Sequence, residues 1–473
     1  MYQILPRYFY FPNRFIHLYL LIFLIPLYSQ ESNIPLDAWK ESGEPFIRNY
    51  TSREYGADFQ NWGIARDKQG IMYFANNHGL LEYDGVSWRL HSIGPYSAIR
   101  SIAAGEDDKI YAGFETEFGY FEPDSIGNLQ FTSLTPLVDK KYGEYYDFWF
   151  TLTVQGTVYF MSGQLLFRWA NRQLTVIKPQ GELVHAFIVD NKLYFQQLRF
   201  GLTQLIGDSL HRVPSWNSFN GQNGPFLMHP HNNSSILIGT YHKGFYLYDH
   251  ATLQPFPTLS DSYLKRNRIY TSAALENGLI AVGTQFGGLA IIDRQGNLYK
   301  VIDKTAGLQD NSVWYVYPDN QGGLWLALNK GISRVEFPSP LSKFSGNSGL
   351  GGVIENVHRH RGTIYAATSE GVRYLDYDDY EKKAPANHPE ISGNGYKGRR
   401  PVFKTVSGLN FYSFCFLSSG NNLLAGTAQG VFQIKGNQWE QILEGFTGGW
   451  QSSFALRQSQ IDTNRIYIAS RKG

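Results

Sequence analysis

Apolar residues along this chain fall into short runs separated by turn-forming clusters, and one stretch shows the unit most clearly. In 307–337, GLQDNSVWYVYPDNQGGLWLALNKGISRVEF, Val313, Tyr315 and Tyr317 alternate with smaller or less apolar neighbours, as a half-buried strand requires. Asp319 to Gly323 then supply hairpin chemistry, with glycines where a positive φ is needed. Leu324-Trp-Leu-Ala-Leu328 is apolar on both faces and should lie between packed layers. A turn at Asn329-Lys-Gly331 leads to a third strand over 332–337. A lone meander of this kind cannot bury both faces, so it needs copies of itself alongside.

The copies are present. Aligned on the second strand and its closing glycine, they read Met72-Tyr-Phe-Ala-Asn-Asn-His-Gly79, Ile110 to Gly119, Leu193 to Gly201, Ile236-Leu-Ile-Gly-Thr-Tyr-His-Lys-Gly244 and Leu279 to Gly288. Leu324 to Gly331, Ile364 to Gly371, Leu423 to Gly430 and Ile466 to Gly473 continue the series, and a weaker copy spans Val158 to Gly163. The glycines are mostly about 40 to 44 residues apart, the length of one four-stranded propeller blade. The fold expected is therefore all-β: a seven-bladed β-propeller over 45–343, followed by a second, incomplete β-propeller over 344–473. Blades are predicted at 61–91, 99–134, 148–178, 184–213, 226–256, 269–302 and 312–337. Phe46 to Tyr50 should close the ring by pairing near Ile332 to Phe337.

Between the two repeat sets, 338–352 is rich in Pro, Gly and Ser and reads as a linker. Its glycines lack the Lys-Ser/Thr ending and following helix of a phosphate loop. The polar insertion 381–400 reads as an exposed loop, and the second set, with two full units and part of a third, reads as the front of a longer protein. At the N-terminus, Arg7 and Arg14 precede the apolar run 15–28, FIHLYLLIFLIPLY, followed by Ser29 and polar residues. That run has the length of a signal-peptide core and falls short of the roughly 20 residues of a membrane span. Residues 1–30 are thus expected to be a signal peptide, with a retained anchor as the alternative, and the repeats to lie outside the cytoplasmic membrane.

Composition adds little to this picture but removes alternatives. The 48 glycines and 16% aromatic content suit many tight turns and large rings wedged between sheets. A formal charge of +2, with no basic stripe, gives no reason to expect nucleic acid as a partner. The single cysteine, Cys415, lies in a strand-like run and reads as a small buried apolar residue.

The repeats resemble one family. Gly307-Leu-Gln-Asp-Asn-Ser-Val-Trp314, Asp319-Asn-Gln-Gly-Gly-Leu-Trp-Leu326 and Asn329-Lys-Gly-Ile-Ser-Arg334 are similar to the repeat of the two-component-regulator propellers. Gln60 to Asp67, Met72 to Gly85 and Glu117 to Asp124 resemble the branch that carries a triple-tyrosine module. The resemblance covers roughly 45–473, with departures at 158–169 and 193–205. It implies an extracytoplasmic, periplasmic sensor region of a membrane-anchored regulator. In such a protein a triple-tyrosine module, a membrane helix and a cytoplasmic output would follow, the output being a histidine kinase, a hybrid kinase or a helix-turn-helix regulator. A homodimer is one assembly it allows.

Few residues suggest chemistry. His229-Pro-His231 and His358-Arg-His360 place paired imidazoles on one strand face, but without a matched third ligand they read as surface or loop-edge histidines, and no metal is expected. Asp376-Tyr-Asp-Asp-Tyr-Glu381 lacks the glycine and the spaced terminal Glu of a calcium loop and reads as a solvated turn. No nucleophile with a partner base stands out, so no catalytic residue and no cofactor is assigned. Trp62, Trp149, Trp314 and Trp450 each open a blade's first strand, the one that lines a propeller's channel. They could stack on a small molecule or glycan, or wedge between blades; Trp62, Trp149 and Trp314 are the candidate ligand-binding residues. Trp88, Trp169 and Trp439, in later strands, read as structural. Two functions remain: a non-catalytic sensor, or an exported propeller lectin or glycan-active enzyme.

Overall fold

The computed structural model describes residues 41–94, 98–214, 216, 224–276, 278–319, 321–379, 399–444 and 453–470. The expected signal peptide, most of the insertion, Trp450 and Gly473 lie outside them. Among the described residues, seven four-stranded antiparallel sheets precede residue 337. Their inner strands are Asn61–Arg66, Ile99–Ala104, Phe150–Val154, Leu183–Val189, Pro225–Asn232, Ile269–Ala274 and Val313–Pro318. Inner strands of successive sheets lie side by side or, for Phe150–Val154 and Leu183–Val189, meet through Phe150 and His185, and Val313–Pro318 returns beside Asn61–Arg66, so the sheets circle one axis. Two further four-stranded sheets and a two-stranded one repeat the pattern from Ile354 to Ser470.

The founding repeat folds as its pattern demands. Every residue of Gly323–Leu328 is buried, because apolar side chains on both faces of this strand meet neighbouring sheets. Its turn is organised by Asp319, whose carboxylate accepts from the Gly323 and Gln321 amides at 2.7 and 2.9 Å, the Trp325 indole at 3.1 Å and Arg334 Nε at 3.0 Å. Burial alone would push this carboxyl up; the amide donors and Arg334 outweigh it and hold it below the ordinary aspartate value. The recurring Gly-Thr signature also has a reason. Thr240 and Thr284, both buried, donate their hydroxyls to the carbonyls of Gly244 and Gly288, each at 2.8 Å, tying a strand end across its turn.

The ring closes as expected. Ile47–Tyr50 pairs antiparallel with Ile332–Glu336, with Ile47 opposite Val335 and Tyr50 opposite Ile332, so an N-terminal strand completes the last sheet. The preceding residues bind the far end of this part of the chain. Glu44 and Lys343 exchange backbone hydrogen bonds at 2.7 Å, the Glu44 carboxylate accepts from Ser345, and Glu41 accepts from Arg359 at 2.7 Å. Lys300, pushed down to about 8 by burial against the opposing effect of Glu44, donates to Ser42 Oγ at 2.9 Å and to the Gly43 carbonyl. The stretch expected to be a linker is thus partly fastened, with a 3-10 turn at Gly346–Ser348 capped by Ser345.

One expectation fails here. Asp376 to Asp379 are not a solvated turn but part of the strand Gly371–Asp379, paired with Arg399–Thr405. Asp376 pairs with Lys404 across the ladder at 2.6 Å, so a charge that looks loop-like in isolation is matched by the neighbouring strand. Cys415 is buried, its thiol pushed up by burial, as the sequence suggested.

Candidate functional site

The inner strands share a defect that builds the site. In six of the seven, the ladder to the second strand skips one residue near its start, a β-bulge. The skipped residues are Trp62, Arg100, Val184, Phe226, Tyr270 and Trp314, each the partner-less member between paired neighbours such as Asn61 and Gly63. The third inner strand begins pairing at Phe150, immediately after Trp149. A bulge releases one side chain from the strict alternation of the pleat and re-aims it. All seven of these side chains line a central cavity of about 570 Å³, within the range of small-molecule sites. The same skip occurs at Glu355, Phe414 and Phe454 in the later sheets.

The cavity wall is a near-continuous belt of rings. Trp314 lies 5.9 Å from Trp62 in a stacked arrangement, and Trp62 lies 5.4 Å from Trp149, edge to face. Phe150 meets His185 at 5.2 Å, and His185 meets Phe226 at 4.2 Å. Tyr270 stands 6.5 Å from Phe226 and 4.6 Å from Trp314, which completes the circuit. The three sequence-predicted tryptophans are therefore brought together on the channel, where Trp62 also packs against the core between the first two sheets. Trp88 and Trp169 pack in cores between sheets, and Trp439 packs on Phe432 and donates to the Ser407 carbonyl at 2.7 Å.

Arg100 breaks the belt with a charge. Its guanidinium carbon is 5.6 Å from the Trp62 ring centre and 5.1 Å from that of Trp149, so the cation sits against both indoles, which lie to one side of it. Asn77 Oδ1 accepts from Trp62 Nε1 at 2.8 Å and from Arg100 at 3.5 Å. Asp147 approaches Arg100 Nε at 3.4 Å, yet neither that nitrogen nor Asp147 Oδ1 makes a hydrogen bond among the described residues, although both atoms are buried. The Trp314 indole nitrogen is likewise buried with no hydrogen-bond partner there.

Two channel histidines are neutral at ordinary pH. Burial pushes His185 down to about 4, and burial together with the positive Arg294 pushes His229 down to about 4 as well. His229 is thus not the surface histidine its sequence context suggested: it lines the cavity and bonds Ser272 Oγ at 2.9 Å. His231, two residues on, turns to the Arg294 carbonyl at 2.9 Å. His358 and His360 both engage the Ser418 hydroxyl, at 2.7 and 2.8 Å. Among the described residues lining the cavity no carboxylate is present, so the paired acids of glycoside hydrolysis have no candidates in that wall.

Residues 307–330, the founding repeat, match the family described as two component regulator propeller. A search of curated proteins gave no match. Among solved structures, an extracellular domain assigned to a hybrid two component system of B. thetaiotaomicron superposes with a TM-score of 0.62 at 16% identity, over 90% of this chain and 58% of that one. An extracellular domain assigned to a one component system of the same organism gives a TM-score of 0.50 at 15% identity, over 91% and 58%. A looser likeness, TM-score 0.48 at 11% identity over 62% and 100%, is to virginiamycin B lyase from Staphylococcus aureus. The chain spans a little over half the length of the first two, 58% in each case.

Proposed function

We propose, for a chain that carries a repeat of the two component regulator propeller family, that it is the extracytoplasmic, ligand-sensing region of a membrane-bound bacterial regulator and is not itself catalytic. Residues 45–343 would form the sensing propeller and 344–473 the start of a second. A triple-tyrosine module, a membrane helix and a cytoplasmic output would complete the protein. The observation that carries this reading is the aromatic channel: bulges in four inner strands turn Trp62, Phe226, Tyr270 and Trp314 onto one cavity of about 570 Å³, where Trp149, Phe150 and His185 from two further sheets join them. Support comes also from the founding repeat's family match and from the solved neighbours' description as extracellular domains of regulatory systems. No described helix is long and apolar enough to cross a membrane.

A sensor needs more than affinity. A ligand shifts a signalling equilibrium only by the difference between its affinities for the two states, so tight but indifferent binding would transmit nothing. The belt suits a differential contact, because rings from separate sheets touch one another and a ligand between them couples several blades at once. The alternative of a glycan-active enzyme is weakened by the lack of carboxylates among the described lining residues. The test is to screen oligosaccharides and small organic acids by quenching of tryptophan fluorescence and to recover the binders after long incubation. Binders are expected back unchanged by nuclear magnetic resonance; a product that accumulates with the wild-type chain but not with Trp314→Ala contradicts the non-catalytic reading.

A further inference from the structure

The geometry points to a specific chemistry for the occupant: the channel takes a ring-shaped molecule bearing a carboxylate, which Arg100 grips in place of Asp147 while the ring lies against the adjoining indoles. This rests on the sensing role proposed above and deepens it.

The first ground is charge. Arg100 is the one formally charged side chain among the described lining residues, since the two channel histidines are kept neutral by burial. A cation walled by indoles is poorly hydrated and attracts an anion more strongly than it would in bulk water. The second ground is unused hydrogen-bonding capacity. A guanidinium carries five N–H donors in a fork that fits a carboxylate edge-on at about 2.7–2.9 Å. Here the described partners are Asn77 at 3.5 Å and Asp147 at 3.4 Å, the second without hydrogen-bond alignment. Trp62 and Trp149, 5.4 Å from each other, both lie to one side of the guanidinium, and Arg100 lines the cavity from which an acceptor would approach the rest of its fork.

The third ground is that the resident anion can leave. Asp147 is 40% exposed at its side chain and sits at φ 53°, a conformation aspartate tolerates better than most residues. Its carbonyl accepts from the Trp149 amide at 2.9 Å, so exchanging the Asp147 carboxylate for a ligand's works on the turn that carries one of the clamping indoles. Displacement and ring contact are thereby linked through two residues of backbone. A neutral sugar could use the indoles but would leave the guanidinium no better served than it is by Asp147.

The ring could belong to a sugar acid or to an aromatic acid, and paired probes separate these sources from each other and from neutral ligands. Isothermal titration on the whole chain compares glucuronate with glucose and 4-hydroxybenzoate with 4-hydroxybenzyl alcohol. In at least one pair the acid is expected to bind about tenfold or more tighter than its neutral partner, the scale of a charge-assisted hydrogen bond. Arg100→Gln should abolish that preference, Arg100→Lys should retain part of it, and Asp147→Asn should preserve or strengthen acid binding by removing the internal competitor. Melting temperatures check that each variant is folded. The proposal is overturned if neither acid binds, if neutral partners bind equally well, if the preference survives in Arg100→Gln, or if Asp147→Asn loses acid binding as Arg100→Gln does. Binding of glucose alone would sink it while leaving the channel as a sensing site.

Discussion

Replacing Tyr50 with alanine is expected to cost about 3–5 kcal/mol of stability, the range for removing a large buried aromatic. Tyr50 is 4% exposed and reaches three rings: Trp325, stacked at 5.5 Å, Tyr83 at 5.5 Å and Trp88 at 5.3 Å. These belong to the last sheet and the first, so the ring on the N-terminal strand packs at the seam where the circle closes. Pairing partners hundreds of residues apart in sequence must be held by contacts of this size, because closing so long a loop carries an entropic cost that backbone hydrogen bonds offset only modestly. Denaturant titration checks it, with Arg48→Ala as the comparison: this exposed side chain lies over the Tyr50 ring at 5.0 Å, and its removal should cost far less than removal of the ring itself. A Tyr50→Ala loss below about 1 kcal/mol would mean that the closure does not depend on this strand.

Gly244→Val is expected to destabilise by about 3 kcal/mol, against about 1 kcal/mol for His231→Ala. Gly244 has φ 87°, a left-handed conformation that a β-branched residue resists, at the end of a turn that Thr240 ties. A Cβ there would also stand 2.5 Å from Asp261 Oδ2 and 2.6 Å from Lys265 Cε, on the short helix Asp261–Asn267 whose Leu264 is buried. These are the ends of flexible side chains that can swing aside, so most of the cost comes from the left-handed backbone. His231 loses one hydrogen bond and an edge contact with Phe256 at 5.4 Å. Thermal melts of the two variants side by side decide it: equal melting temperatures would contradict the turn's role.

Much of the fold was legible because a propeller repeats its turn chemistry. Closing glycines, Gly-Thr pairs and two-faced apolar strands mark each second strand, and the pairing of Ile47–Tyr50 with Ile332–Glu336 followed from the seventh unit having three strands and the N-terminus one to spare. Strict alternation, by contrast, misreads the inner strands. Counting Val313, Tyr315 and Tyr317 as one face hides the slip at Trp314, since a bulge is a backbone event with no residue type of its own. Tryptophan was conspicuous enough to be noticed regardless; Arg100, Phe226 and Tyr270 were not. A signal was nevertheless there: each follows a residue at the strand's start, Ile99, Pro225 or Ile269, that is buried. Alignment on first strands instead of second strands would have placed Arg100 in register with Trp62 and Trp314. The acidic stretch 376–379 was misread for a different reason: the strand it pairs with, Arg399–Thr405, which carries the Asp376 partner Lys404, comes from beyond a long insertion.

The account turns on the belt of bulged rings being where a ligand sits. The most direct measurement is titration of the tightest binder from the fluorescence screen into the wild type, into Trp62→Ala/Trp314→Ala, and into Trp439→Ala as a control outside the channel. Affinity should fall at least about tenfold in the double variant, as for the loss of central aromatic anchors, and stay unchanged in the control. Equal affinity of wild type and folded double variant would place the site elsewhere and contradict the account.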